Sequence, residues 1–255
     1  MTYLKFYLGA GCLLSGSLAM ADSQGWFVRA GAGLGEPDFH STMTVNNGSG
    51  FPAPLNNDVY STSKKTAATV DLATGYRWSR QQTWLPVLSA GLTYQHLFSN
   101  EINGTITQYA LPQFANYQYT WAVESEVLAI FARANLSQYQ RFLPYLEGSI
   151  GSAWTTASHY RETAVSGVTP RVSPMFRRHT ATEFTYSLGA GIDVVLTEKI
   201  MLSLGYEFRD WGSLTSKPGE LTWSQEHLNA GHYRTHSGLI RVTYLFGQSP
   251  APLSK

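Results

Sequence analysis

The run Phe184-Thr185-Tyr186-Ser187-Leu188-Gly189-Ala190-Gly191-Ile192-Asp193-Val194 alternates apolar residues with small or polar ones along its whole length. Its partner, Leu202-Ser203-Leu204-Gly205-Tyr206-Glu207-Phe208-Arg209, repeats the pattern, and Thr197-Glu198-Lys199 supplies a tight turn between them. A period of two means extended strands, each with one apolar and one polar face. In a soluble sheet the apolar face would meet a second layer. Here the other face is unusually small and rich in glycine, yet it carries Asp193, Glu207 and Arg209. Small residues with charges of both signs suit a narrow interior filled by side chains, with the apolar face turned to lipid. The hairpin 184–211 therefore reads as two strands of a transmembrane barrel.

Working outward, the same alternation marks six more strands. Residues 26–34 place Arg29, Gly31 and Gly33 on the inner face, and residues 66–78 place Asp71, Ala73, Gly75 and Arg77 there. Residues 85–96 form the third strand, with Pro86 at its start, where a missing ladder donor is tolerated. In 123–136 two registers compete. Leu128, Ile130, Ala132, Ala134 and Leu136 are taken as outward because Arg133 then points inward. The opposite register would face Arg133 to lipid, at up to about 2–4 kcal/mol at the midplane. Residues 144–154 turn Glu147 inward, and 235–246 turn Arg241 inward. Short turns (79–83, 137–142, 197–199) alternate with long polar loops (35–65, 100–120, 155–183, 212–233). The reading is all-β: an eight-stranded antiparallel up-and-down transmembrane β-barrel with short periplasmic turns and four long extracellular loops.

Ring positions fit this independently. Trp26, Tyr76, Trp78, Tyr244 and Phe246 would line the periplasmic interface, and Tyr94, Trp154, Phe184, Tyr186, Tyr206 and Phe208 the outer one. Two aromatic girdles are what membrane interfaces favour. Charged residues are only 14% of the chain, against about 25% in soluble domains, which also points to lipid. A formal net charge of +1 argues against a nucleic-acid partner.

Residues 1–21 read as a signal peptide: Lys5, an apolar run 6–18, and Ala19-Met20-Ala21 as a small-x-small cleavage site. Gly9-Ala10-Gly11-Cys12 hints at a lipoprotein site, but the apolar run before it is too short. Cleavage after Ala21 would remove Cys12 and leave no disulfide, so the closed ladder of backbone hydrogen bonds must hold the fold. The barrel domain is then 22–246, with a short periplasmic tail at 247–255.

The inward charges are Arg29, Asp71, Arg77, Arg133, Glu147, Asp193, Glu207, Arg209 and Arg241. Inside so narrow a barrel they should pair into a network that plugs the lumen, because isolated buried charges are costly. A gate or proton path is the functional alternative. Arg171, Arg177, Arg178 and His179 make the third loop basic and suited to lipopolysaccharide phosphates or a host polyanion; a solvated loop is the plainer reading. Phe51, Tyr109, Phe114, Tyr117 and Tyr119 would either anchor a protein partner or pack the loops together. His227 and His232 have a weak metal spacing, and solvated histidines explain them as well. His236-Ser237, with Glu207 or Glu226, has the residue types of nucleophilic catalysis, but neighbours on a strand point to opposite faces.

With its signal peptide, four long and three short connections, and a closing strand ending Val242-Thr243-Tyr244-Leu245-Phe246, the chain resembles the small OmpA/OmpX-type and opacity-like outer-membrane barrels of Gram-negative bacteria. It departs from them in continuing past Phe246, by a tail too short for a peptidoglycan-binding domain. The His-x-Ser-Asn run of the lipid A deacylase barrels is absent. The resemblance implies a non-enzymatic, porin-like cell-surface protein of the outer membrane, needing no cofactor or metal. It would display loops for envelope integrity and adhesion or host contact. A narrow channel, or a passage for small hydrophobic molecules, is the second reading, and a lipid-modifying enzyme the third. Expected partners are outer-membrane lipid and lipopolysaccharide, the outer-membrane assembly machinery and a host surface ligand.

Overall fold

The computed structural model describes residues 24–80, 82–171, 176–219 and 226–246. The expected signal peptide and tail lie outside the described residues. The barrel strands are β1 (Gly25–Asp38), β2 (Ala67–Ser79), β3 (Val87–Thr107), β4 (Ala115–Asn135), β5 (Phe142–Ala164), β6 (His179–Val195), β7 (Ile200–Thr215) and β8 (Asn229–Leu245). Each pairs antiparallel with the next. β8 returns to β1, with Arg29 opposite Thr243 and Gly31 opposite Arg241. The ring therefore closes on eight strands and leaves its ladder without an edge, as a lipid environment demands.

Alternation sets the faces as the chemistry requires. Leu72, Ile130, Leu188 and Ile240 are exposed on the outside, while Asp71, Arg133 and Arg241 are buried inside. Arg133 faces inward, so β4 takes the register that spares its charge from lipid. In the central hairpin, Leu204 stands opposite Ile192 and Glu207 opposite Gly189. Its turn is tied by the Thr197 hydroxyl, which accepts from the Ile200 N–H at 3.1 Å. Rings gather at both ends of the apolar belt. Trp26 meets Tyr76 edge-on at 5.6 Å at the short-turn end, and Tyr186 meets Phe208 at 6.1 Å toward the long-loop end.

The strands are much longer than the alternation read from sequence. β3, β4 and β5 have 21, 21 and 23 residues, where about 9–11 suffice to cross a membrane. The segment 100–120, expected as a loop, is mostly strand, and only 108–114 connects β3 to β4. Loop 155–183 likewise gives up its first ten residues to β5. The first long loop holds a hairpin of its own, Thr42–Asn46 with Asn57–Ser61, whose second arm pairs with β3 through Tyr60 and Ile106.

The reason is a reversal of polarity along unbroken strands. On β4 the odd-numbered residues face inward throughout. Near the short turns these are Phe131, Arg133 and Asn135; toward the long loops they are Tyr117, Tyr119, Trp121 and Val123, all buried. The outward residues change in step, from Ile130 and Leu128 to Glu126, Glu124 and Thr120. Above the apolar belt the barrel is thus an ordinary soluble structure, polar outside and apolar within. Tyr60, Leu97, Ile106, Trp121 and Trp211 form its core. Polar residues on the outer face hide this continuation from a reading that expects apolar-out strands.

Candidate functional site

All nine inward charges are buried in the lumen. Glu147 on β5 is the hub. Its carboxylate accepts from Arg29 Nη1 at 2.6 Å and from Arg133 Nε at 2.7 Å, and it lies 3.5 Å from Arg241 Nη1. Arg241 on β8 donates through Nε to Asp71 at 3.0 Å and through Nη2 to Glu207 at 2.9 Å. Glu207 also accepts from Arg209 Nε at 3.3 Å. Arg133 reaches across to Asp193 at 2.8 Å, and that carboxylate takes two further bonds, from the Ser203 hydroxyl at 2.5 Å and Asn135 Nδ2 at 2.9 Å. The result is a ladder of shared carboxylates spanning seven of the eight strands. Arg77 stands apart: among the described residues no carboxylate lies within ion-pair distance of it, its Nη1 lies 2.8 Å from the Met201 thioether, and Asp193 is the carboxylate that attracts it from further off.

The glycines on the inner face are what make room for this. A Cβ on Gly31 would fall 2.3 Å from Asp71 Oδ1 and 2.5 Å from Arg241 Cγ. Gly205 and Gly191 take the Tyr145 hydroxyl, which would lie 2.1 and 2.7 Å from a Cβ at those positions. Tyr145 was not among the expected site residues. Its ring lies 3.8 Å below the Arg133 guanidinium, and Phe131 covers Arg29 at 4.7 Å. Both rings share the inward parity of Glu147 and Arg133, so the alternation already carried the signal.

Apolar side chains flank the network at both ends. Toward the short turns, Val87, Leu143, Val195 and Met201 pack together. Toward the long loops, Trp211 lies beside Arg209 (5.5 Å) and donates through Nε1 to Thr235 at 3.0 Å, joining the charges to the apolar core above. A void of about 10 Å³ opens between Arg29, Arg77, Arg133 and Asp193, near the floor.

The residues of the third-loop cluster do not lie together on one face. Arg171 faces into the structure, donating to Asp58 at 2.8 Å and Glu162 at 3.1 Å, with its guanidinium 4.6 Å over the Tyr117 ring. Burial opposes its charge, but the Glu162 and Asp58 carboxylates outweigh that and raise its pKa. It ties the first and third loops together. Arg177 donates to the Pro218 carbonyl at 3.2 Å and is exposed, as is Arg178; His179 is half-buried at the start of β6. The loop rings also divide. Tyr117 and Tyr119 belong to the core, and burial pushes the Tyr119 phenol up. Phe51, Tyr109 and Phe114 form a chain of edge contacts at 6.3 and 5.9 Å, with Phe51 and Phe114 exposed at the tip.

His236 and Ser237 do not converge. His236 bonds Tyr206 at 2.6 Å on the outer surface, while Ser237 is buried inside, so they do not form a nucleophile–base pair. His232 contacts Asp210 at 3.2 Å. Among the described residues no group of three or more His, Cys, Asp and Glu could hold a metal.

The family model described as "Outer membrane protein beta-barrel domain" matches residues 8–246. Among solved structures, the outer membrane protein OprG from Pseudomonas aeruginosa aligns with a TM-score of 0.51 at 10% identity, covering 90% of this chain and 100% of that one. Neisserial surface protein A aligns at 0.46 and 13% identity, over 87% and 97%. No curated protein sequence matches the chain.

Proposed function

The chain belongs to the outer membrane protein beta-barrel domain family, and on that premise we propose that it is a non-enzymatic surface protein whose sealed barrel anchors a display of loops. The observation that carries this reading is a lumen filled by an ion-pair network under an aromatic core. Such a barrel is a poor pore. In this reading the short turns face the periplasm, and the long-loop end stands outside the cell among lipopolysaccharide. The assembly machinery would recognise the closing strand, and the loops would carry whatever specificity exists. The tip formed by Phe51, Tyr109 and Phe114 is the surface suited to a protein on a host cell or matrix, because exposed rings are strong contact anchors.

The test has two arms. Refolded protein in a planar bilayer should give no stable openings, and cells making the Phe51→Ser, Tyr109→Ser, Phe114→Ser variant should lose adhesion while the barrel stays folded. Steady conductance that changes on Glu207→Gln would overturn the plug and favour the channel reading. Unaltered adhesion would remove the tip from the contact surface.

A further inference from the structure

Two grooves lie one above the other on the outer face of β3, β4 and β5. The lower one, about 790 Å³, is cut into the apolar belt. Its floor is a row of small residues, with Ala90 opposite Ala132 and Ala132 opposite Gly148. Leu92, Ile130 and Ile150, all exposed, form the wall above that row. In a membrane such a groove takes hydrocarbon. The upper groove has two lobes, of about 430 and 290 Å³, which share Thr120 and Arg161. Asn103, Gln118 and Thr163 line the first lobe, and Glu101 and His159 the second. Its walls are therefore hydroxyls and amides around one cation and one carboxylate.

A bulge aims Arg161 into the upper groove. Thr120 stands opposite Arg161 but Ala122 opposite Ser158, so β5 carries one extra residue there. His159, within it, has φ 53°, a left-handed value uncommon outside glycine. One extra residue switches which parity faces out. Below the bulge Ile150 faces lipid; above it Tyr160 packs on the core and Arg161 is exposed. Arg161 has no ion-pair partner among the described residues. Glu126, between the grooves, is by contrast engaged: it accepts from the Tyr94 hydroxyl at 3.1 Å and lies 3.4 Å from His96 Nδ1.

Height limits what can fill both grooves. Ile130 below and Thr120 above are ten residues apart on β4. With about 3.3 Å of rise per residue and a strand tilt of about 40°, the upper groove stands about 25 Å higher. Half a hydrocarbon core is about 15 Å, and the polar layer adds only about 5–8 Å. A phospholipid head stops short of the upper groove. A saccharide carried on a lipid head reaches it.

We propose that this face docks one glycolipid of the outer leaflet, a lipopolysaccharide, with acyl chain in the lower groove and saccharide in the upper. Asn103, Gln118, Thr120 and Thr163 pair with sugar hydroxyls, and Arg161 takes an acidic group, phosphate or carboxylate. Glu101 accepts from hydroxyls and repels an acidic group, which keeps that group to Arg161. This docking rests on the long-loop end facing out of the cell, as proposed above.

Native mass spectrometry of the refolded full chain in detergent tests it, with rough lipopolysaccharide, lipid A, phosphatidylglycerol and lipid-free core oligosaccharide as probes. One rough lipopolysaccharide should bind per chain, about tenfold or more tighter than phosphatidylglycerol. Arg161→Gln should weaken it about tenfold, the size of one charge-assisted bond, and leave lipid A unaffected. Gly148→Leu fills the lower groove; a Cβ there meets only Leu188 and Ser187, at 3.7 Å, so the barrel accommodates it. That variant should weaken both glycolipids. Gly238→Leu on β8, where a Cβ meets open space, should change nothing. Phosphatidylglycerol or lipid-free core bound as tightly as rough lipopolysaccharide overturns the docking. So does wild-type binding by Arg161→Gln and Gly148→Leu, or an equal loss in Gly238→Leu. Should Gly148→Leu not fold, the probe series and Arg161→Gln decide. Orientation is tested apart: an impermeant maleimide should label Ser166→Cys on intact cells. No labelling there would overturn the outward-facing reading, whatever the chain binds in detergent.

Discussion

Two halves of one barrel solve opposite problems with the same strands. In the belt, Ile130 and Leu128 face out while Arg133 and Glu147 face in; further along β4, Glu126 and Thr120 face out while Trp121 and Tyr119 face in. No strand changes face between them. What changes is the surrounding solvent. Lipid accepts apolar side chains, so the belt interior is free to be polar, provided its charges are paired. Water outside the upper barrel restores the usual rule, and its interior earns stability from apolar burial. One half is held together by specific partners and the other by area, so the two should fail differently.

The largest effect should come from the hub. Glu147→Gln leaves Arg29, Arg133 and Arg241 short of a carboxylate, and breaking a buried ion network this way costs about 3–5 kcal/mol. Denaturant unfolding in detergent measures it; a loss under about 1 kcal/mol would mean that the network is not what stabilises the belt. Next is Leu97→Ala, at the point where the polarity reverses. Leu97 is fully buried against the apolar core, and truncation there should cost about 2–4 kcal/mol. Hydrogen exchange should show the loosening confined to the long-loop half, with the Arg133–Asp193 pair intact. Exchange rising equally throughout would mean that the halves are a single cooperative unit.

The smallest effect sharpens the contrast between buried and exposed charge. Lys64 bonds Asp38 at 2.5 Å above the belt, and this bond holds the Asp38 carboxyl below its ordinary range. A lowered folded-state pKa gives stability that is present above the unfolded value and lost as pH falls through the folded one. Both side chains are more than a third exposed, so Lys64→Ala should cost under about 1 kcal/mol near pH 7. The difference from wild type should vanish below the depressed pKa and shrink in high salt. A salt-insensitive loss would point to the Lys64 ammonium over the Phe39 ring, 5.7 Å away, and not to the pair.

Alternation is local, and it was enough to read the barrel, the eight strand cores and the face on which each belt charge stands. The inward parity that places Arg133 also contains Tyr145 and Phe131, which pack on its guanidinium and that of Arg29. Two things lay beyond it. The strand extensions needed the tertiary structure, because Trp121 and Ile106 face inward among outward polar residues and look like loop until the core they share with Tyr60 and Trp211 is assembled. The pairing within the network needed it as well. Arg29 and Glu147 are 118 residues apart, and Arg241 and Asp71 are 170 apart. Parity puts side chains on one face, but the stagger of strands around a closed ring decides which of them meet. Register is what joins Arg133 to two carboxylates and leaves Arg77, on the same row, with none within ion-pair distance among the described residues.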